Sequence, residues 1–531
     1  MEPKDPGAIA AEPPSREQPI RAAEVVAALS LATDLGTGQP LEHALRTAAL
    51  AVRLGQLAGA STQELADTYY VALLHSAGCT SDGHEANFAY GDDIVPRAKF
   101  ALVDTGDLEE VVAYLKANVG GGRPAPERDA MVQDALANGL PSARQAFAMH
   151  CEVAQRFAGW LGFSSGTQAA LEHVFERWDG NGFPGVTGGD ELPLPARLLH
   201  VARDISVFLS ASGAADARAV IERRSGGAYQ PRLVDLAVRH LDDIIADIDE
   251  TRMWEQVLES EPFPQIWIAG EKVDAAFTAI AAFIDLKSPW FREHSMGVAE
   301  LAEAAAWRMG LPAGAITRLR RAALVHELGR VGVSNAIWEK PGPLGFGGWE
   351  HVRLHPHFTE RAFAQSPVLA PIGGLGGSHH ERLDGSGYHR GARGSALEPA
   401  ARILAAAGNY QAMRESRPYR PALDAETAEA ELVREAKDGQ LDPDAVDAVL
   451  AAAGHRVVQR PHELPAGLTE RELQVLLILV LGQPNREIAE DLGISAKTVG
   501  HHVQHIYEKA GVRSRAAATV WAFEQGLVRS R

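Results

Sequence analysis

His379-His-Glu-Arg-Leu-Asp-Gly-Ser-Gly-Tyr388 has an earlier counterpart in the same chain, Val174-Phe-Glu-Arg-Trp-Asp-Gly-Asn-Gly-Phe183. Outward from this pair the spacings repeat. His355 precedes Glu381 by 26 residues, and His150 precedes Glu176 by 26. His294 and His326 lie 32 apart, as do His43 and His75, and the second member of each pair ends a similar run, Ala322-Ala-Leu-Val-His326 or Val71-Ala-Leu-Leu-His75. Asp384 stands 17 residues before Ala401-Arg402, and Asp179 stands 17 before Ala196-Arg197. Repetition at fixed offsets marks one domain present twice. The copies are expected at 23–255 and 256–455, the first carrying an insertion of about 46 residues between its second and third histidines. Apolar residues recur three and four apart, as in Val298 to Met309, and no series of alternating strands is evident, so the fold class is all-α.

A chain of 531 residues exceeds one hydrophobic core, and 46% hydrophobic with 23% charged residues suits a folded globular protein. Cys79 and Cys151 are too few for a disulfide framework, which favours a reducing compartment and a cytoplasmic location. Residues 1–22 begin with mixed charges and prolines and are expected to be a disordered tail without a secretory signal. Val475 to Leu481, the most lipid-like stretch, is far shorter than the roughly 20 apolar residues of a membrane span. The net charge is −18, yet the segment from Gly467 holds eight Lys/Arg against seven Asp/Glu, so the acid lies in the body. A near-neutral end module relies on specific contacts or dimerisation for nucleic-acid affinity.

That module, 467–531, follows a linker at 456–466. Thr469-Glu-Arg-Glu472 reads as a capping box. Gly482-Gln-Pro-Asn485 breaks the first helix, Asn485 is expected to cap a second through Leu492, and Gly493 turns the chain so that Ser495 caps a third. Val499, Val503 and Ile506 face the core, which leaves Lys497, Gly500, His501 and Gln504 on the opposite face for a major groove. Leu468-Thr-Glu-Arg-Glu472, Asn485-Arg-Glu-Ile-Ala489, Ile494-Ser-Ala-Lys-Thr-Val499 and Lys509-Ala-Gly-Val512 resemble the LuxR/GerE-type helix-turn-helix module of transcriptional regulators, over about 60 residues. The resemblance implies four helices, double-stranded DNA as partner, contacts by Arg486, Lys497, Thr498, His501 and Gln504, and a homodimer formed through the last helix, Ala516 to Gln525. Gly500 departs from the family's frequent lysine, and His501, His502 and His505 could take over part of its contact.

The second copy places His294, His326-Glu327, His355 and His379-His380 at long separations on helices, the way helical metallohydrolases hold ions. With Val331-Gly-Val333, Lys340-Pro-Gly-Pro-Leu344 and Arg417-Pro-Tyr-Arg420, they resemble the HD-GYP family of metal-dependent phosphohydrolases over about 170 residues. The resemblance implies iron or manganese, one or two ions per chain, and cyclic di-GMP as substrate class. Residue by residue, one ion falls to Glu327, His355, His379 and His380 and the other to His294, His326 and Glu327, with Glu327 and Arg330 in the catalytic positions. Glu327 replaces the family's Asp, Arg330 its lysine, Gly408 a late metal-binding Asp, and Gly387-Tyr388-His389 the Gly-Tyr-Pro of the family name. Arginine still binds phosphate but is a poor proton donor. In the first copy His43, His75 and His150 remain, while Ser76, Val174, Phe175 and Arg203 stand at the other ligand positions. Core histidines are the better reading there, and Cys79 with His84 is a further zinc candidate weighed against a simple buried thiol.

Three readings follow. The second copy is a degenerate sensor that binds an ion or a nucleotide effector and controls the DNA module, or it is an active phosphodiesterase, or both copies are a scaffold. The damaged ligand set favours the first.

Overall fold

Short polar side chains open many of the helices, as their orphan amides require. Ser61 and Glu64 form a capping box, Asp424 accepts from Thr427 N, and Ser164 accepts from Thr167 N. The computed structural model describes residues 18–457, 465–525 and 527. Among these the fold is all-α apart from one two-residue antiparallel pair, Ile20–Arg21 with Trp267–Ile268. Residues to Arg456 form one compact unit and those from Val457 a second.

Within the first unit the same succession of helices occurs twice. Ala22–Gly36, His43–Ala58, Thr62–Leu74, Ala125–Trp160, Ser165–Leu171, Leu194–Ser212, Ala214–Arg223 and Pro231–Ala246 have counterparts. These are Glu271–Asp285, His294–Arg308, Ala313–Val325, Phe346–Phe363, Ala370–Gly376, Pro399–Met413, Ala425–Lys437 and Pro443–Ala452. The first copy's insertion supplies Gly83–Tyr90, Val95–Phe100, Leu108–Asn118 and the early turns of the 36-residue helix Ala125–Trp160.

The repeated Glu-Arg-x-Asp-Gly-x-Gly stretch is a loop with the same wiring in both copies. The Glu381 carboxylate accepts from the amides of Arg390 and Ala392, and Glu176 accepts from those of Gly185 and Val186. Asp384 and Asp179 each accept from the amide two residues on, from Ser386 and Asn181. A Cβ on Gly387 or Gly182 would lie 2.6 or 2.5 Å from the Cα of the loop's own glutamate, so only glycine fits. The motif that reveals the repeat therefore shapes a loop, and it survives where the chemistry does not.

Two boundaries differ from the sequence expectation. Ile20 is 2% exposed, Arg21 pairs with Glu261 at 2.5 Å and the first helix starts at Ala22, so the end of the expected tail is folded, and residues 1–17 of it lie outside the described residues. Helix Met253–Glu259 runs across the expected 255/256 junction. The physical reason is that the copies share one interior. The strand pair joins their beginnings, Glu24 accepts from Ser366 Oγ (3.0 Å), and the Lys287 ammonium donates to Asp93 (2.7 Å) with both side chains fully buried. Asp93 belongs to the first copy's insertion and also accepts from Asn335 N and Ser334 Oγ of the second.

The second unit contains Glu470–Val480, Asn485–Leu492, Ala496–Ala510 and Arg515–Glu524. Thr469 and Glu472 form the expected capping box, Ser495 caps the third helix, and Gly493 adopts φ 63° between the second and third. The N-cap of the second helix is Pro484, not Asn485, and Asn485 is its first residue. Pro484 stands just outside the helix with an extended ψ of 155°, where its missing N–H costs no intrahelical bond, and the Asn485 Oδ1 accepts from Arg515 instead (3.4 Å). Val499, Val503 and Ile506 are buried with Val475, Leu476, Leu479 and Ile488 in a core that this unit completes by itself. The linker expected at 456–466 lies mostly outside the described residues.

Candidate metal and anion site

The second copy brings its histidines together from four places in the chain. His294 opens one helix, His326 ends another and passes directly to Glu327, His355 lies inside Phe346–Phe363, and His379-His380 follow Ala370–Gly376. Gly329 permits the convergence, because a Cβ there would lie 1.9 Å from the His355 carbonyl oxygen. Gly78 in the first copy meets the His150 carbonyl oxygen in the same way, at 2.0 Å.

Ligand atoms gather in two groups that share one carboxylate. Glu327, His355, His379 and His380 form the first, and His294, His326 and Glu327 the second, with all ligand atoms of each within 4.8 Å of one another. Glu327 Oε2 lies 3.2 Å from His355 Nε2, and Oε1 lies 3.5 Å from His326 Nε2, 3.6 Å from His294 Nε2 and 3.8 Å from His379 Nε2. The Nδ1 atoms of His326, His355 and His379 donate to the carbonyls of Ala323, Val352 and Gly376 at 2.6, 2.6 and 2.7 Å. Each ring is thereby held with its Nε2 lone pair turned inward.

This arrangement fits a transition-metal ion. His326 Nε2 and Glu327 Oε2 are buried without a hydrogen-bond partner. The Nε2 atoms of His355 and His379 face each other at 3.0 Å. With both Nδ1 atoms acting as donors these are two lone pairs in repulsion, whereas cis ligands on one ion at about 2.1 Å stand roughly 3 Å apart. Burial pushes His326 down to about 3 and holds His379 and His380 well below their ordinary range, so the rings are the neutral species a metal requires. Burial alone would protonate Glu327, yet the Arg330 guanidinium beside it holds it well below the usual carboxylate range.

Arg330 approaches Glu327 Oε1 at 2.5 Å, over the faces of Phe291 (4.3 Å) and Trp338 (5.2 Å). Its Nε and Nη1 are buried and have no acceptor. One carboxylate therefore faces both a guanidinium and the histidines, and two guanidinium donors remain for an anion. Tyr388 stacks on His380 at 4.2 Å. Glu415, which nothing in the sequence pattern marks, accepts from His294 Nδ1 at 2.9 Å and pairs with Arg417 at 2.7 Å. That carboxylate orients His294 and raises its basicity. At the position of the missing aspartate, a Cβ on Gly408 meets no atom within 4 Å.

The first copy retains no such cluster among the described residues. His43 Nδ1 meets Ser206 Oγ at 3.0 Å, and His75 Nδ1 donates to the Ala72 carbonyl at 2.7 Å. His150 Nε2 lies 3.1 Å from Asp82. Val174 is buried, Phe175 packs on Phe147 (centroids 4.8 Å), and Arg203 pairs with Asp204 while reaching the Val174 carbonyl. Neither Cys79 nor His84 belongs to a group of three or more ligand atoms among the described residues, and His84 Nδ1 lies against Glu339 (2.9 Å). Restoring histidines by Val174→His with Phe175→His is expected to confer no metal binding, since Ser76 and Arg203 still deny the site its carboxylates. Metal analysis of that double variant checks it, and an added ion would contradict the reading.

On the helix-turn-helix unit, Arg486, Lys497, Thr498, His501 and Gln504 are exposed. Lys497, His501 and Gln504 share the outer face of Ala496–Ala510, while Thr498 Oγ1 is engaged with the Ser495 cap (2.8 Å) and Arg486 pairs with Glu490 (3.3 Å). Arg471, Lys509 and Arg515 bind the Leu492, Gly467 and Gly482 carbonyls, so part of the unit's positive charge serves its own fold.

The model of the family described as HD domain matches residues 126–224 and 278–445, and that of bacterial regulatory proteins, luxR family, matches 466–522. The chain is 29% identical over 446 residues to the 3'3'-cGAMP-specific phosphodiesterase 3 of Vibrio cholerae, covering 83% of this chain and 96% of that one. A crystal structure described as a cyclic GMP-AMP specific phosphodiesterase of V. cholerae, V-cGAP3, superposes with a TM-score of 0.59 at 26% identity, covering 83% of this chain and 99% of the other. At the other end, 80 residues are 41% identical to the response regulator VraR of Staphylococcus saprophyticus, 15% of this chain and 38% of that protein.

Proposed function

Since the chain belongs to the HD domain family, in HD-GYP-like form, and carries a luxR-family DNA-binding domain, we propose that it is a transcriptional regulator that senses a 3',3'-cyclic dinucleotide. The observation that carries this reading is Arg330, whose Nε and Nη1 lie buried and unpartnered beside the histidine cluster and suit a phosphate oxygen. Glu327, His355, His379 and His380 would hold one iron or manganese ion, and His294 and His326 would hold a second weakly for want of a carboxylate at Gly408. Bound there, the metal would supply Lewis-acid charge toward a phosphodiester. Arg330 orients the phosphate and balances Glu327, and Tyr388 on His380 offers an aromatic edge to the nucleotide. Turnover is slow in this reading, and occupancy is what the DNA-binding unit responds to, in a homodimer.

The second reading, a working phosphodiesterase joined to a DNA-binding domain, is favoured by similarity that runs through both copies to the Vibrio enzyme. The deciding experiment is a gel-shift series on selected DNA with 3',3'-cGAMP and cyclic di-GMP, beside a turnover assay on anaerobically prepared protein. A nucleotide-dependent shift with little hydrolysis supports the sensor. Brisk hydrolysis with unchanged DNA affinity replaces it with the enzyme.

The DNA face has its own test. Residues 466–531 alone, with their complete core, are expected to bind DNA in a random-site selection at low salt. Lys497→Ala weakens that binding and lowers the salt slope by about one if it contacts a phosphate. An unaltered slope removes Lys497 from the interface.

A further inference from the structure

Outside the central cluster, a third group of ligand atoms within 4.8 Å of one another is formed by His357, Glu360 and His389. His357 and Glu360 occupy successive turns of Phe346–Phe363, three apart and so on one face of it, and His389 follows Tyr388 in the loop. His389 Nε2 lies 3.3 Å from Glu360 Oε2, its Nδ1 is buried without a partner, and the ring centroids of His357 and His389 are 5.6 Å apart. Two imidazoles on one tetrahedral ion, each bound at about 2.1 Å, place their centroids roughly 5.4 Å apart. We propose that His357, Glu360 and His389 form a separate peripheral site for a zinc-class divalent cation.

Two imidazoles and one carboxylate are a borderline donor set, suited to zinc rather than to magnesium or calcium, and the exposed side of His357 leaves a position for water. The site ties the same two segments that supply the central ligands. His355 lies on the same helix two residues before His357, and Tyr388, next to His389, stacks on His380. A cation there staples the 381–392 loop against the helix from outside and fixes Tyr388 over the central cluster. Arg390 competes, since its Nε donates to Glu360 Oε2 at 3.1 Å and its guanidinium also pairs with Oε1. The cation takes the carboxylate by displacing that fork, so removing Arg390 strengthens the site.

The test is zinc content after equilibrium dialysis of the full chain, carried out on the wild type, His357→Ala, His389→Ala, Arg390→Ala and His379→Ala. One zinc equivalent is expected to be lost in His357→Ala and His389→Ala, with iron or manganese content unchanged. His357 is exposed, so its variant keeps the fold. Arg390→Ala should bind that equivalent about tenfold more tightly, and His379→Ala should keep it while losing a central ion. Equal zinc content in the wild type, His357→Ala and His389→Ala overturns the proposal, as does loss of the same zinc in His379→Ala, which would assign it to the central cluster.

Discussion

Gly408→Asp combined with Glu327→Asp is expected to raise the iron or manganese content of the central cluster from about one ion per chain toward two, and to raise cyclic-dinucleotide hydrolysis by at least about 10²-fold. The backbone accepts the first change, because a Cβ at Gly408 meets no atom within 4 Å. The second shortens by one methylene a carboxylate that now reaches Arg330 at 2.5 Å and His355 at 3.2 Å, and supplies the aspartate that the HD-GYP pattern has at this position. A second ion is worth several kcal/mol to a phosphodiester transition state, and each 1.36 kcal/mol is tenfold in rate. His379→Ala should remove the remaining ion, since its Nε2 lies 3.0 Å from that of His355 in the better-supplied group. Metal stoichiometry measured beside turnover decides the matter. An unmodified chain that holds two ions and turns over briskly would show that the missing carboxylate is replaced by some other ligand.

Asp93→Ala is expected to destabilise the first unit by about 3–5 kcal/mol, the cost of leaving a buried ion-pair partner uncompensated. Lys287 is fully buried and its ammonium is held at 2.7 Å by Asp93, although burial already pushes its pKa below the usual lysine range. The same carboxylate accepts from Asn335 N at 2.7 Å and Ser334 Oγ at 3.1 Å, just after the turn Leu328–Gly332 that carries Arg330. Loss of Asp93 should therefore lower the thermal midpoint by several degrees and weaken metal retention together. Adding Lys287→Met should recover most of the stability, because the unpaired charge rather than the lost bond dominates the cost. A single variant with the wild-type midpoint would mean that Lys287 finds another acceptor or loses its proton.

Local chemistry and spacing made much of this protein legible from its residues. Helix periodicity, the capping boxes and the recurrence of histidines at equal offsets depend only on neighbours along the chain, so they identified the all-α class, both copies and the helix-turn-helix unit. The Glu-Arg-x-Asp-Gly-x-Gly loop was readable twice because Gly182 and Gly387 each lie against their own glutamate, a constraint contained within a few residues. The central histidines were legible because their spacing resembles a known metal-binding pattern. Contacts between residues far apart in sequence carry no such signature. Glu415 reaches His294 across 121 residues, and Asp93 reaches Lys287 across 194. His84 meets a glutamate 255 residues on. That the copies are joined was hidden for the same reason, since the strand pair Ile20 to Ile268 and the buried Asp93–Lys287 pair link what the repeat suggests is separable. Buried ion pairs and orphaned donors such as those of Arg330 arise only once folding removes water, and which side chains meet there is decided by the tertiary fold.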